Sequence, residues 1–185
     1  MVHSLLSTLP EGYPFKEHIH CFETIDSTNL QAKTMGQLGA PHGTALIAQA
    51  QTAGRGRLGR NFHSPDGQGI YLSMVLRPQC HATQLMHLTC ATAVAMCDAV
   101  EKAAGFRPGI KWTNDLVHGK HKLGGILTEL GLSARGGVDY AIIGIGINCC
   151  QQEADFPEDI RDIAGSLTLA TGQMVDRSRV AAAMM

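Results

Sequence analysis

Among the six cysteines (Cys21, Cys80, Cys90, Cys97, Cys149 and Cys150) there is no C-x-x-C pair. Nor does a charged N-terminal stretch run into an apolar segment, as a secretory signal would. Without an export signal, the thiols read as reduced and buried or half-buried in a cytoplasmic protein. No apolar run reaches the roughly 18–20 residues of a membrane span, so no membrane partner is expected. Internal repeats and low-complexity segments are missing as well. The chain also lacks an excess of charge of either sign. Its formal net charge is −1, so overall charge holds neither a nucleic acid nor a membrane surface. What these absences leave is one domain of 185 residues, 44% hydrophobic and 17% charged, long enough to bury a real core without staples.

Charge is concentrated locally. The stretch GRGRLGRNFHSPDGQG at residues 54–69 alternates Arg55, Arg57 and Arg60 with Gly54, Gly56 and Gly59, and its first acid is Asp66. Clustered like charges repel and glycine raises the entropic cost of ordering, so folding alone would not select this loop. Guanidinium groups grip phosphate oxygens through paired charge-assisted hydrogen bonds, and glycines let the backbone approach a ligand. The loop reads as a phosphate clamp, mobile when empty and ordered when occupied. A solvated basic loop or a nonspecific nucleic-acid patch is the plainer alternative.

The standard phosphate-loop signatures fail on context. GRGRLG matches G-x-G-x-x-G, but a dinucleotide fold needs a helix next, and Pro65, Gly67 and Gly69 exclude one there. A kinase loop needs V-A-I-K, H-R-D and D-F-G segments, all missing, and GKH at 119–121 lacks the Ser or Thr of a Walker A loop.

Residues 1–17, with Pro10, Gly12 and Pro14, read as an irregular lead-in. HIHCFETI (18–25) reads as a strand, and DSTNLQAKTMGQLGA (26–40) as a helix with Thr28 and Gln31 at capping-box spacing and Gly39 as its stop. Strands follow at 43–51 and 69–78, then a long alanine-rich helix at 82–105 closed by Gly105. Residues 109–132 and 138–148 read as strands, with turns at Gly119-Lys120 and Arg135-Gly136-Gly137. Residues 157–171 look helical behind Pro157. Asp176 caps a last helix that stops at Met185 after about two turns, uncapped, as a piece of a longer chain would. This order predicts an α+β fold: a mixed, mostly antiparallel sheet with helices packed on one face.

In YAIIGIGIN a period of two puts Ile143, Ile145 and Ile147 on one face and Gly144, Gly146 and Asn148 on the other. Glycines strip that face of side chains and make room for a flat ligand, or for a closely packed helix. KWTNDLVHGKHKLGG (111–125) sets Lys111, Lys120 and Lys122 against one acid, Asp115, and thins at Gly124-Gly125. Its plain alternative is an exposed hairpin. His118 and His121 have no third partner nearby, so no metal site is expected. Phe62 and Trp112 read equally as walls of a ligand site or as core.

Five of these segments, DSTN, GRGRLGR, KWTNDL, HKLGGIL and GIGIN, share the order and rough spacing of the catalytic domain of biotin protein ligases. The chain resembles that family, also called biotin–[acetyl-CoA-carboxylase] ligases, from about residue 18 to its end. The resemblance implies a class II synthetase-like catalytic domain across residues 1–185. It implies an enzyme that joins biotin and ATP into biotinyl-5′-AMP and pyrophosphate, then moves biotin to a lysine of a biotin carboxyl carrier domain. By position, it implies that Ser27, Thr28, Asn29 and Gln51 bind biotin, with Arg55, Gly56 and Arg57 closing over it, Lys122 contacting its carboxylate and the reacting phosphate, and Gly144 and Gly146 beneath. It assigns the nucleotide to Arg57, Arg60, Phe62, Lys111, Asn114 and Asn148, and catalysis to Lys122, Arg57, Lys111 and Asp115. Mg²⁺ is expected to be carried by ATP.

The residue types suit that chemistry. A carboxylate is already ionised, so its attack on the α-phosphate needs no general base, and no G-x-S-x-G nucleophile segment is present. The demand is to neutralise phosphoryl charge with Arg, Lys and Mg²⁺. A closing loop keeps water from the mixed anhydride.

Against the family pattern, Thr113 replaces the proline of Lys-Trp-Pro-Asn-Asp, which loosens a backbone constraint and changes little. Phe62 stands where tryptophan is frequent. The small β-barrel that follows the catalytic domain in the family is not in this chain, and full ligase activity is expected to need it. Only 17 residues precede the first strand, too few for a helix-turn-helix, so no DNA partner is expected. The resemblance allows a homodimer. Lipoate–protein ligases share the architecture and the acyl-adenylate chemistry, but the Arg/Gly loop and Lys-Trp-x-Asn-Asp favour biotin. A non-enzymatic biotin- or nucleic-acid-binding module would show salt-sensitive nucleic-acid affinity and no ATP consumption.

Overall fold

The computed structural model describes residues 2–79, 82–133 and 137–185. Among them a seven-stranded sheet runs in the order β1-β2-β3-β7-β6-β5-β4. Its strands are Ile19–Ile25 (β1), Thr44–Gln51 (β2), Gly69–Leu76 (β3), Gly109–Lys111 (β4), Asp115–His118 (β5), His121–Leu132 (β6) and Val138–Asn148 (β7). Only β1 and β2 run parallel; every other pair of neighbours is antiparallel. A parallel pair needs a crossover, and helix α2 (Thr28–Gln37) supplies it. The sheet is mixed and mostly antiparallel, as the order of elements predicts.

Alternation along the strands sorts residues onto two unlike faces. On one, Ile47 of β2, Ile70 and Leu72 of β3, Ile126 of β6 and Ile143, Ile145 and Ile147 of β7 form the main core. It is sealed by Met96, Cys97 and Val100 of α3 (Leu88–Ala104) and by Val180 and Ala181 of α5 (Arg177–Met184). Helix α3 ends at Gly105, whose left-handed φ of 68° lets its N–H reach the Glu101 carbonyl. On the other face a smaller cluster of Leu46, Val75, Tyr140 and Ile142 packs on Ala32 of α2. The expected helical layer on one face therefore holds for α3 and α5, while the β1–β2 crossover carries α2 to the opposite side. Beyond α2 that second face is open.

Three local expectations are corrected. The lead-in is not wholly irregular: Val2–Thr8 forms helix α1, and its Leu5 is fully buried in the main core. Pro10 and Gly12 end that helix and do not forbid it; burial of Leu5 supplies what a short isolated helix lacks. Residues 157–171 are helical only over Leu167–Thr171 (α4). Before it, backbone groups are committed to β6: the Lys122 N–H donates to the Ile163 carbonyl at 2.7 Å, and the Gly165 N–H to the Lys122 carbonyl at 2.9 Å. The N-cap of α2 is Ser27, not Thr28, its side chain accepting from the Leu30 N–H. That shift of one residue frees Thr28 and Asn29 for other work.

Asp176 caps α5 as predicted, accepting from the N–H groups of Ser178 and Arg179. The hairpin turn at Gly119-Lys120 joins β5 to β6. Cys80 and the Arg135-Gly136 part of the last predicted turn lie outside the described residues. Cys21, Cys90, Cys97, Cys149 and Cys150 are free thiols, and burial pushes those of Cys97 and Cys149 up, so both stay protonated. No helix among the described residues is long and apolar enough to cross a membrane.

Candidate active site

The open part of the second face is floored by small residues brought into register. Ser73 of β3, Gly144 of β7 and Leu127 of β6 lie side by side, as do Tyr71, Gly146 and Gly125. A Cβ at Gly144 would overlap the side-chain amide of Asn29, and one at Gly146 would stand 2.7 Å from the Phe62 ring. The two glycines are thus what admit Asn29 and Phe62 to the floor. Above them lies a cavity of about 450 Å³.

One end of this cavity is polar, buried and uncharged. The start of α2 supplies Ser27, Thr28 and Asn29, and β3 supplies Ser73, all nearly inaccessible. Gln51, at the end of β2, accepts from the Thr28 N–H at 2.8 Å and from its hydroxyl at 3.1 Å. The Gln51 amide donates in turn to the Ser64 hydroxyl at 2.9 Å. Ser73 Oγ lies 2.8 Å from both Thr28 Oγ1 and Asn29 Oδ1, so its single proton has two acceptors. Hydroxyls and side-chain amides converge where α2 begins, a place suited to a neutral group with its own donors and acceptors.

The other end is basic, and its three arginines hold different posts. Arg55 pairs with Glu129 of β6 at 3.3 Å. Arg57 reaches across the cavity, where one of its nitrogens donates to Thr113 Oγ1 and Asn114 Oδ1 at 2.8 Å each. Thr113 is therefore more than a relaxed backbone constraint, since proline has no hydroxyl to offer. Arg60 is turned to a second cavity. The loop stem is closed by its own backbone: the Gly56 N–H donates to the Arg60 carbonyl and the Phe62 N–H to the Gly54 carbonyl. At the tip Leu58 and Gly59 both take positive φ, 56° and 74°, and Leu58 is 90% exposed.

Lys122 marks the seam between the two cavities. Its ammonium sits 2.7 Å from Asp115 Oδ1, the same oxygen that accepts from the Asn114 amide. Lys122 and Phe62 border both the first cavity and the second, of about 1010 Å³. The second is walled by Arg60, Lys111, Asp115 and Asn148, with Phe156, Ile160 and Ile163 opposite in chemistry. Asn148 is fixed by donating to the Gly165 carbonyl at 2.9 Å. Phe62 rests edge-on against Tyr71. Burial pushes the Tyr71 phenol up, so it keeps its proton and donates it to the Pro65 carbonyl at 2.9 Å, anchoring the loop stem.

Every site residue named from the sequence borders one of these two joined cavities. Others were missed. Ser73 had one signal, a lone hydroxyl in the apolar run GIYLSMVL. Glu129 shares strand parity with Gly125 and Leu127, which places it on the same face, but nothing local ties it to Arg55. Phe156, Ile160 and Ile163 carried no signal of their own; the last two fall in the 157–171 stretch predicted as a helix. Trp112, read as wall or core, is 79% exposed and borders neither joined cavity. His118 packs edge-on against Phe106 at 5.1 Å between ring centres.

With this geometry in hand, similarity to known proteins is informative. Residues 21–148 match the model of the biotin/lipoate A/B protein ligase family. The chain is 43% identical over 164 residues to the bifunctional ligase/repressor BirA of Bacillus spizizenii, covering 89% of this chain and 50% of that protein. It is 38% identical over 125 residues to the biotin–[acetyl-CoA-carboxylase] ligase of Paracoccus denitrificans, covering 66% of this chain and 51% of that one. Among solved structures, the biotin protein ligase from Aquifex aeolicus in complex with biotin and ATP superposes with a TM-score of 0.73 at 34% identity. That match covers 90% of this chain and 66% of the other. The chain spans about half the length of the curated relatives it matches.

Proposed function

Because the chain belongs to the biotin/lipoate A/B protein ligase family, we propose that it activates biotin with ATP to biotinyl-5′-AMP. It then hands the biotinyl group to a lysine of a biotin carboxyl carrier domain, in the cytoplasm. The observation that carries this reading is the first cavity's polarity: buried, uncharged hydrogen-bonding groups at one end, and Lys122 opening onto a basic second cavity at the other. A ureido ring has donors and an acceptor for Ser27, Thr28, Asn29, Gln51 and Ser73. The dithiolane ring of lipoate has none, and adds no hydrogen bond to that network.

In this reading biotin lies on Gly144 and Gly146 with its carboxylate toward Lys122. A carboxylate oxygen attacks the α-phosphorus of ATP, the bond to the β-phosphate oxygen breaks, and pyrophosphate leaves. Lys122 and Arg57 offset the charge gathered at the phosphorus, while Lys111 and Arg60 face the departing pyrophosphate. Asp115 and Asn114 hold Lys122 and Arg57 apart and in line. Phe62 and Asn148 take the nucleoside. In the second step an uncharged lysine amine of the carrier attacks the acyl carbon; AMP leaves with the C–O bonding pair, and the amine gives up its proton. Mg²⁺ brought in with ATP would supply further positive charge to the phosphate oxygens beside Lys122 and Arg57.

The test is mass spectrometry after incubation with biotin, ATP and Mg²⁺, with lipoate in a parallel tube. Biotinyl-5′-AMP and no lipoyl-AMP is the expected result. Lipoyl-AMP would move the substrate assignment. No adenylate in either tube, with no biotin binding by calorimetry, would end the ligase reading.

A further inference from the structure

Glu129 lies outside the groups that border the first cavity, yet three of its contacts hold that cavity's parts together. It sits on β6 opposite Ile142, on the face that carries α2, and its side chain is only 19% exposed. One carboxylate oxygen accepts from the Asn29 amide nitrogen at 2.9 Å and stands 3.3 Å from the Arg55 guanidinium. The other is 3.7 Å from Lys33, one turn further along α2 than Asn29. We propose that Glu129 is a positioning residue, a single carboxylate that sets the amide of Asn29 and ties down the base of the Arg/Gly loop.

The first part follows from donor and acceptor chemistry. A carboxylate only accepts, and so does the Leu127 carbonyl, which lies 3.4 Å from the same Asn29 nitrogen. Turning the amide over would set its oxygen against both. Glu129 therefore fixes the nitrogen outward and Asn29 Oδ1 inward, toward Gly144 and the Ser73 hydroxyl. Ser73, Thr28 and Gln51 inherit their order from that choice. The second part follows from charge. Arg55, Arg57 and Arg60 repel one another, and no acid lies within the loop before Asp66. Glu129 neutralises the arginine nearest the stem from 74 residues away. Arg57 and Arg60 are left to face a ligand.

The loop carries its own reporters, because trypsin cuts after arginine. Glu129→Gln keeps size and loses charge. It is expected to speed cleavage after Arg57 and Arg60 about fivefold, the scale of one partly exposed ion pair. Arg55→Gln, on the exposed partner, is expected to do the same and serves alone if Glu129→Gln does not fold. The double variant is expected to add nothing further. Cleavage at the wild-type rate in the single variants, or additive acceleration in the double, overturns the proposal.

The Asn29 half rests on the ligase reading: Glu129→Gln is expected to raise the KM for biotin about tenfold and leave that for ATP unchanged. A rise in both alike would mean general loosening and overturns that half. A wild-type chain that makes no biotinyl-5′-AMP and binds no biotin sinks the ligase reading alone, since the proteolysis result needs no substrate.

Discussion

Strand β7 carries two interleaved sequences. Ile143, Ile145 and Ile147 face α3 and α5 and are at most 6% exposed, while Gly144, Gly146 and Asn148 face the two cavities. The first set is held by burial, worth about 25 cal/mol per Å² whatever the direction of approach. The second works by what it omits, and by hydrogen bonds that require a direction and a distance near 2.9 Å. A core face tolerates exchange among apolar residues of similar volume. A floor that admits Asn29 and Phe62 does not tolerate a methyl group.

The sharpest way to break this contrast is to exchange the penalties. Gly144→Val puts carbon where the Asn29 amide lies, and biotin affinity is expected to fall about 100-fold or more by calorimetry, from at least two lost hydrogen bonds. Ile145→Ala, one residue away, is expected to lower unfolding stability by about 2–5 kcal/mol in urea and leave biotin affinity of the folded chain unchanged. Equal loss of affinity in the two variants would erase the distinction between faces.

Next in size is the clamp over the glycine face. Arg57→Gly removes both bonds to the β4–β5 turn and one cation, and unbound biotinyl-5′-AMP is expected to rise about tenfold. Unchanged retention of the adenylate would mean that Arg57 does not close the site. Ser73→Ala takes the hydroxyl from Asn29 Oδ1 and should raise the KM for biotin about fivefold, with that for ATP unchanged. A shift in ATP alone would put the polar end on the wrong substrate.

The smallest effect sharpens the core side. Burial raises the Cys97 and Cys149 thiols and the Tyr71 phenol above their unfolded values. Each therefore contributes stability that is full below the unfolded value, about pH 8.5 for a thiol, and shrinks as pH rises beyond it, because the unfolded chain sheds a proton the folded chain keeps. Urea midpoints are expected to fall above that pH, and less steeply in Cys149→Ala. A flat profile across the same range would show that these groups ionise without unfolding.

How much of this was legible before the fold? The period of two in YAIIGIGIN separated the faces correctly, and the strands, the Gly105 stop and the Asp176 cap follow from local pattern, but the long helix expected from residue 82 begins at Leu88, behind a 3-10 segment over Ala82–His87. The capping residue of α2 was missed by one position, because Ser27 and Thr28 are chemically alike and only backbone geometry distinguishes them. Helix α1 was missed because its one decisive contact, Leu5 in the core, is made with distant residues. The helix expected over 157–171 is shorter because local sequence does not reveal that Lys122 claims the backbone around Ile163 and Gly165.

Local sequence was enough to assign the two faces of β7 and to show that a basic, glycine-rich loop follows β2. These are properties of neighbours a few residues apart, and a two-residue period needs no knowledge of the partner strand. Only the tertiary structure decided that Glu129 meets Arg55 across 74 residues, and that Arg57 finds Thr113 and Asn114. It also set Lys122 against Asp115 at the seam of two cavities. Those pairings depend on strand register and on which loop lies over which turn, and short-range pattern contains neither.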